Sequence, residues 1–230
     1  MSKPIQKQEY RFKMRIYFYT TVLLILCSCG NQTVQTSEEK ENVETESLHL
    51  LHDISASNED GSVNAIIEIP TGTSEKWEIN KESGKAEWQQ ENGQPRIVNY
   101  LGYPGNYGMI PQTYLSKEQG GDGDPLDILV IGPSVERESV LACDVIGVLL
   151  LRDRGEQDDK LIAIGENAPI QEVHSIEELD SNYAGISQII QTWFTNYKGR
   201  DKMEFIGWGS EDTAKQILEK AKLEYEISQQ

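Results

Sequence analysis

The most constraining feature of this sequence is a group of three carboxylates placed directly before an apolar strand. Residues 121–130 read GDGDPLDILV, with acids at Asp122, Asp124 and Asp127. A core strand has no need of three acids at its entrance. Hard divalent cations take oxygen ligands, so carboxylates held by Gly and Pro predict a Mg²⁺ or Ca²⁺ site. A D-x-D-x-D-G calcium loop is the nearest alternative, but Asp127 stands where that loop needs glycine.

A second acidic group follows the apolar strand Val145 to Leu151. It contains Asp153, Asp158 and Asp159, with Lys160 beside it, and alone it would be typical of a solvated hairpin loop. Other polar residues at predicted strand or helix ends change this interpretation: Glu68, Lys76, Glu78, Arg96, Tyr103, Tyr107, Tyr197 and Lys198. Acids that hold Mg²⁺, beside Arg, Lys and Tyr that can hold phosphate oxygens, indicate phosphoryl chemistry.

Charge and cysteine content exclude two classes of protein. The chain has 38 Asp+Glu against 21 Lys+Arg, a formal charge of −17. Nucleic-acid binders neutralise phosphates with a basic face, so this balance argues against nucleic acid as a partner. Three cysteines do not make a disulfide framework. A length of 230 residues suits one domain with appendages.

The N-terminus is predicted to be a secretory signal peptide of the bacterial lipoprotein type. Residues 1–15 carry five basic residues and one acid, and the apolar run Ile16 to Cys27 follows. This run is shorter than the ~20 residues that a spanning helix needs. It ends in Leu26-Cys27-Ser28-Cys29, which resembles a lipobox with Cys29 as the acylated residue. The alternatives are an uncleaved anchor or an ordinary secreted protein.

These features divide the chain into a lipoprotein signal peptide (1–28), a flexible acidic linker (29–60) and a folded domain (61–230). The protein is therefore expected in the bacterial cell envelope, lipid-anchored on the periplasmic or surface side. His49 and His52 in the linker could share a helix face and bind a metal, although two histidines without a third ligand are more typical of solvated residues.

The folded part is predicted to contain strands first and helices last. Period-two alternation and turn residues predict strands over Ser62 to Ile69, Lys76 to Ile79, Lys85 to Gln89, Ile97 to Leu101, Leu126 to Ile131, Val140 to Leu151 and Lys160 to Ile164. Amphipathic helices are predicted from Ile186 to about Lys198 and after Ser210. The predicted class is α+β, with two C-terminal helices packed on a β-barrel that has extra strands.

Taken together, these motifs resemble those of the soluble, family I inorganic pyrophosphatases, over about Ser62 to Lys222. The signature Asp122-Gly-Asp124-Pro-Leu-Asp127 is the most specific. In the family's order it is joined by the segments 67–70 (IEIP), 76–84 (KWEINKESG), 103–108 (YPGNYG), 153–160 and 197–198 (YK). The resemblance implies a compact five-stranded, OB-like barrel, a homo-oligomer, pyrophosphate as substrate and several Mg²⁺ ions in each active site.

The resemblance also implies a role for each carboxylate. Asp122, Asp127 and Asp158 would be ligands of the activating metal, with Asp127 bridging to a second ion. Asp153 would join Asp158 on a metal that arrives with the substrate. Two further acids would act on the metals through water, namely Glu68 and Glu78.

Asp124 resembles the family's general base, which takes a proton from the attacking water. The implied phosphate binders are Lys76, Arg96, Tyr107, Lys160, Tyr197 and Lys198, with Tyr103 helping to shape the pocket. The segment between Glu78 and Arg96 is longer than in short bacterial members, by the region Gln89 to Gln94, and is closer to the eukaryotic spacing.

Three functions are compatible with this pattern. The first is a membrane-tethered, Mg²⁺-dependent pyrophosphatase. The second is a non-catalytic lipoprotein that has kept the barrel as a binding module, which predicts loss of the base or of a metal ligand. Asp124 and Asp127 are both present. The third is a phosphatase of wider range that acts on nucleotides or polyphosphate.

Overall fold

The structure is a computed structural model that describes residues 48–230. Cys29, the predicted signal peptide and residues 29–47 of the predicted linker lie outside the described residues. The strands are β1 (Val63–Ile69), β2 (Trp77–Ile79), β3 (Ala86–Trp88), β4 (Gln90–Glu91), β5 (Gln94–Pro95), β6 (Asn106–Met109), β7 (Asp127–Ile131), β8 (Val140–Asp153), β9 (Glu156–Gln157), β10 (Lys160–Gly165) and β11 (Met203–Gly209). The helices are α1 (Ile176–Asn182), α2 (Ile186–Asn196) and α3 (Glu211–Ser228).

Five of these strands close into a barrel. They pair in the order β1-β6-β7-β10-β8, and β8 returns to pair with β1. Closure is possible because the long strand β8 pairs with β1 through its first residues and with β11 through its last ones. All the barrel pairs are antiparallel except β7 with β10. The predicted α+β class and the five-stranded barrel are therefore confirmed.

Strand β1 is buried on both of its faces. Ala65 and Ile67 point into a cluster with Ile128 and Leu161, while Ile66 packs with Met109 on the opposite side. The alternation that predicted this strand therefore separates two cores. One core fills the barrel interior. The other lies between β1 and the segment that precedes the barrel, which contributes Leu50 and Leu51.

Both predicted C-terminal helices are present and pack on the barrel. Helix α2 buries Trp193 and Phe194, and helix α3 buries Leu218 and Ala221. The sequence analysis did not predict α1, a short helix whose first turn is capped by Ser175, which accepts a hydrogen bond from the Glu178 N–H. Strands β4, β5, β6, β9 and β11 were not predicted either.

The predicted strand from Ile97 to Leu101 is wrong. Only Ile97 forms a bridge, to Glu75, and Leu101 is exposed. Because β8 and β1 already close the barrel, no edge of it is free for this segment. Its backbone bonds to a loop instead, since the Val98 N–H donates to the Ser74 carbonyl at 2.8 Å.

Residues 48–60 are folded against the domain, so the prediction of a flexible linker is wrong for them. Leu50, Leu51 and Ala56 are buried. The Leu51 carbonyl accepts from the Gln112 N–H at 3.0 Å, and the Leu50 N–H donates to Gly84. The high polarity of the segment suggested a linker, but its apolar residues pack against β1.

His49 and His52 lie in a turn and not on one face of a helix. Their rings are 4.2 Å apart, and His52 Nδ1 lies 2.5 Å from the Tyr225 hydroxyl on α3. Burial lowers the pKa of His52, and the neighbouring His49 lowers it further. The pair thus joins the N-terminal segment to the last helix.

Removal of residues 48–60 should destabilise the domain. A chain that begins at residue 61 loses Leu50 and Leu51, and each buried leucine stabilises by ~1.5–3 kcal/mol. We expect the free energy of unfolding in urea to fall by about 3 kcal/mol or more relative to a chain that begins at residue 46. Equal midpoints and slopes for the two chains would contradict the packing of this segment.

Candidate active site

The parallel pair β7 and β10 places the two acidic groups of the sequence side by side. Their register aligns Asp127 with Lys160 at the same mouth of the barrel. The Lys160 Nζ donates to Asp127 Oδ2 (2.5 Å) and to Asp158 Oδ1 (2.7 Å), and its side chain is only 1 % exposed. Burial alone would lower the pKa of Lys160, but the two carboxylates raise it above its ordinary value.

The loop before β7 is held in place by its own backbone. The Leu115 N–H donates to the Asp124 carbonyl at 2.9 Å, and the Gly123 N–H donates to the Leu115 carbonyl at 2.8 Å. Gly123 has a φ of +85°, in the region that favours glycine. The Asp124 N–H also donates to Asp122 Oδ1 at 2.9 Å. Gly123 therefore lets the chain turn sharply between Asp122 and Asp124.

A cavity of about 240 Å³ opens at this mouth. It is lined by most of the residues that the sequence analysis selected: Glu68, Lys76, Glu78, Arg96, Tyr107, Asp122, Asp124, Asp127, Asp153, Asp158, Tyr197 and Lys198. Lys160 lies behind this lining, against Asp127 and Asp158. Tyr103 also lies behind it, with its ring centroid 5.0 Å from that of Tyr107. Asp159 has another role, since it accepts a hydrogen bond from the Leu151 N–H.

Arg96 reaches the cavity in spite of the longer segment that precedes it. The extra residues form the exposed hairpin of β4 and β5, and Arg96 follows it directly. The structure therefore brings Arg96 to the same cavity as Lys76 and Glu78.

Lysines pair with the carboxylates of the cavity. Lys198 lies 2.8 Å from Asp153, and Lys76 lies 3.1 Å from Glu78. These pairs are short and partly buried, so they shape the local potential more than exposed ion pairs do.

Burial shifts the pKa values of several of these groups. It raises the pKa of Glu68 to about 8 and that of Asp122 to about 6. Burial also acts on Asp158, but Lys160 and Lys198 outweigh it and lower the pKa of that carboxyl. Acids whose pKa values are raised by burial and modified by neighbouring charges are typical of functional sites.

Tyr107 and Tyr197 line the site, and Tyr103 packs behind Tyr107. Burial raises the pKa of Tyr107 well above its ordinary value, and that of Tyr103 in the same direction, so both hydroxyls stay protonated at neutral pH. Tyr197 follows α2 and stacks on Trp193, with ring centroids 4.6 Å apart. Such hydroxyls can donate hydrogen bonds to an anion.

The donor set suits a hard divalent cation. Within residues 48–230, no three His, Cys, Asp or Glu side chains converge closely enough to form a ready-made metal site, because lysines lie between the carboxylates. Asp158 Oδ2 is nevertheless buried without a hydrogen-bond partner, 3.7 Å from Lys198 Nζ. An unsatisfied buried carboxylate oxygen among further oxygen donors fits Mg²⁺.

Comparison with known proteins agrees with this geometry. The model of the family described as inorganic pyrophosphatase matches residues 65–226. The chain belongs to the inorganic pyrophosphatase family. Among its relatives, the inorganic pyrophosphatase of Xylella fastidiosa is 34 % identical over 168 residues, which are 71 % of this chain and 89 % of that protein.

Two solved structures of the family resemble the fold. The type I inorganic pyrophosphatase of P falciparum has a TM-score of 0.72 at 27 % identity, over 77 % of this chain and 63 % of that one. The inorganic pyrophosphatase of Helicobacter pylori has a TM-score of 0.64 at 29 % identity, over 75 % of this chain and 98 % of that one. This chain thus spans nearly all of the bacterial protein and less than two thirds of the parasite one.

Lys81 is a cavity residue that the sequence analysis did not select. It lies in the turn between β2 and β3, where its Nζ donates to the Gly123 carbonyl at 2.6 Å and pairs with the Asp124 carboxylate. Lys81 stands in the segment 76–84 that carries the family resemblance. Only the folding of this turn over the acidic loop shows that it meets Asp124.

We expect Lys160→Met to destabilise the metal-free protein by about 3 kcal/mol. Removal of one partner from a buried ion pair leaves an uncompensated charge, here on Asp127 and Asp158. Urea unfolding at pH 7 measures the change. Lys215→Met, which removes the exposed pair with Glu211, is the matched control and should leave the unfolding midpoint in place. Equal midpoints for both variants would show that Lys160 is not paired as described.

Proposed function

We propose that this protein hydrolyses inorganic pyrophosphate to two phosphates with the help of Mg²⁺ ions. The family assignment makes the chain an inorganic diphosphatase. The observation that carries the proposal is that one cavity gathers acids and phosphate-binding cations from distant parts of the chain, between Glu68 and Lys198. Binding of pyrophosphate requires both kinds of group.

The carboxylates would hold the cations. Lys160 contacts Asp127 and Asp158, and Lys198 contacts Asp158 and Asp153. Asp122 lines the same cavity. Glu68 and Glu78 complete the acidic lining. When bound, Mg²⁺ neutralises phosphate oxygens and makes nearby water more acidic.

The basic and phenolic groups would hold the phosphates. Lys76, Arg96 and Lys198 line the cavity and offer positive charge to the oxygens of pyrophosphate. Tyr107 and Tyr197 can add hydrogen bonds from their hydroxyls. Since phosphoryl transfer needs mainly positioning and charge neutralisation, this set suits the reaction.

Asp124 is the candidate general base. Its side chain is 58 % exposed, so water can reach it, and its ion pair with Lys81 limits the directions in which the carboxylate can point. Its main chain is fixed by bonds to Asp122 and Leu115. A carboxylate that is both accessible and held in place can accept a proton from the attacking water.

A phosphate-release assay tests the proposal directly. Pyrophosphate with Mg²⁺ should be hydrolysed, whereas EDTA should abolish the activity and Ca²⁺, which prefers longer bonds and more ligands, should inhibit it. Equal rates on ATP would favour a phosphatase of wider range. No release from either substrate would favour the non-catalytic binding module.

We expect Asp124→Asn to fold normally and to lose about 10²- to 10⁴-fold in kcat, because the change removes the base and keeps the shape. Phosphate release under saturating pyrophosphate measures the loss, and circular dichroism confirms the fold. Turnover within twofold of the wild type would mean that another group accepts the proton.

We also propose that the protein is anchored to the cell envelope through lipid on Cys29. The support is the order of basic region, apolar run and Leu26-Cys27-Ser28-Cys29. Cleavage there would leave 16 Lys+Arg against 37 Asp+Glu, a net charge of −21 that an anionic bilayer repels. None of the helices within residues 48–230 has the length and apolar character to cross a membrane.

Assembly into a homo-oligomer is part of the proposal. Tyr100, Leu101 and Ile189 are exposed together on one face of the domain. Apolar side chains grouped in this way are typical of a contact between proteins.

Cys29→Ser should release the protein from membranes and leave the specific activity unchanged. Residues 29–47 separate Cys29 from the folded segment that begins at residue 48, so the lipid need not affect the barrel. Fractionation of cells followed by the pyrophosphatase assay tests both statements. A variant that stays with the membrane would show that Ile16 to Cys27 is an uncleaved anchor.

A further inference from the structure

Gln89 contacts three residues that line the cavity, although it does not line the cavity itself. Its main-chain N–H donates to the Lys76 carbonyl at 2.9 Å, and its carbonyl accepts from the Arg96 N–H at 2.8 Å. Its side chain bonds to Glu78 and Arg96. One residue therefore connects Lys76, Glu78 and Arg96.

The chemistry of the partners determines how the Gln89 amide is oriented. A guanidinium only donates hydrogen bonds and a carboxylate only accepts them. The amide oxygen therefore faces Arg96 and accepts from its Nη1, while Nε2 donates to both Glu78 oxygens, at 3.2 and 3.1 Å. An acid at this position would repel Glu78 and a base would repel Arg96, so a neutral amide serves both.

Arg96 depends on this contact for its direction. Within residues 48–230 its guanidinium forms no ion pair, and the bond to Gln89 is the hydrogen bond that its side chain makes. A long side chain without a fixed partner must lose rotamer freedom when it binds a ligand, which weakens binding. A preoriented guanidinium avoids most of that loss.

We propose that Gln89 is a positioning residue that directs the Arg96 guanidinium toward the cavity and ties it to Glu78. The proposal rests on the proposed function, in which Arg96 binds phosphate oxygens of pyrophosphate. It gives a role to the longer segment between Glu78 and Arg96, since Gln89 is the residue from which the β4–β5 hairpin departs.

Gln90 is the matched control. It is the same residue type at the next position, it is exposed, and its side chain donates to the Trp88 carbonyl at 3.0 Å. It bonds to neither Glu78 nor Arg96. A change at Gln90 therefore reports any general effect of a substitution in this hairpin.

The test compares Gln89→Leu and Gln90→Leu in the full chain. Calorimetric titration with imidodiphosphate and Mg²⁺ measures binding without turnover. Gln89→Leu should weaken binding about 10-fold, the effect of losing one hydrogen bond to a charged group, and Gln90→Leu less than twofold. The KM for pyrophosphate should rise in parallel while kcat changes less than threefold. Unchanged binding in Gln89→Leu would overturn the proposal.

The same substitution in a protein that lacks Arg96 shows whether Gln89 acts by positioning Arg96 or has a general structural role. In the Arg96→Ala protein, Gln89→Leu should change imidodiphosphate binding less than twofold, because the residue it directs is gone. A 10-fold loss that persists there would overturn the proposal. Gln89→Met, unbranched like glutamine, gives the same test if leucine disturbs the hairpin, which thermal unfolding would reveal.

The outcomes distinguish this inference from the proposed function. A wild-type chain that releases no phosphate from pyrophosphate refutes the proposed function. A wild-type chain that is active, with a Gln89→Leu variant that binds imidodiphosphate equally well, refutes the role of Gln89 alone.

Discussion

The contact of Lys160 with Asp127 and Asp158 is the interaction on which the active site depends. A lysine that is almost fully buried needs negative partners, and these two carboxylates supply them at the mouth of the barrel. The parallel pairing of β7 with β10 sets this contact, because its register places Lys160 opposite Asp127. The acidic loop before β7 and the acidic turn before β10 therefore meet at one point, and a slip of one residue would turn these side chains to the other face.

Turns and loops bring the other charged residues of the cavity to that point. The turn between β2 and β3 brings Lys81 to Asp124, and the loop after α2 brings Lys198 to Asp153. Gln89 joins Arg96 to Glu78 from outside the cavity. Positive groups thus reach the acids from several directions, which suits a substrate that carries charge on both of its phosphates.

The N-terminal segment shows how a polar sequence can still belong to a core. Residues 48–60 have few apolar side chains, but Leu50, Leu51 and Ala56 are placed where β1 is otherwise uncovered. Their hydrogen bonds to Gln112 and Gly84 pair backbone groups that would be costly to bury alone. The average composition of residues 48–60 is polar and does not show that these three side chains are buried.

The sequence by itself determined which residue types form the site and most of the strands and helices that hold them. Acids held by Gly and Pro before an apolar strand imply oxygen ligands. Period-two and period-3.6 patterns predicted most of the barrel strands and both C-terminal helices. These signals depend only on residues that are near one another in the sequence. Tertiary structure alone decided the nonlocal features. Barrel closure excluded Ile97 to Leu101 from the sheet. The folding of the β2–β3 hairpin brought Lys81 into the cavity lining and placed Gln89 behind it, against Glu78 and Arg96. These contacts join residues that are far apart in the sequence and meet only after the strands have paired. No local sequence pattern predicts them.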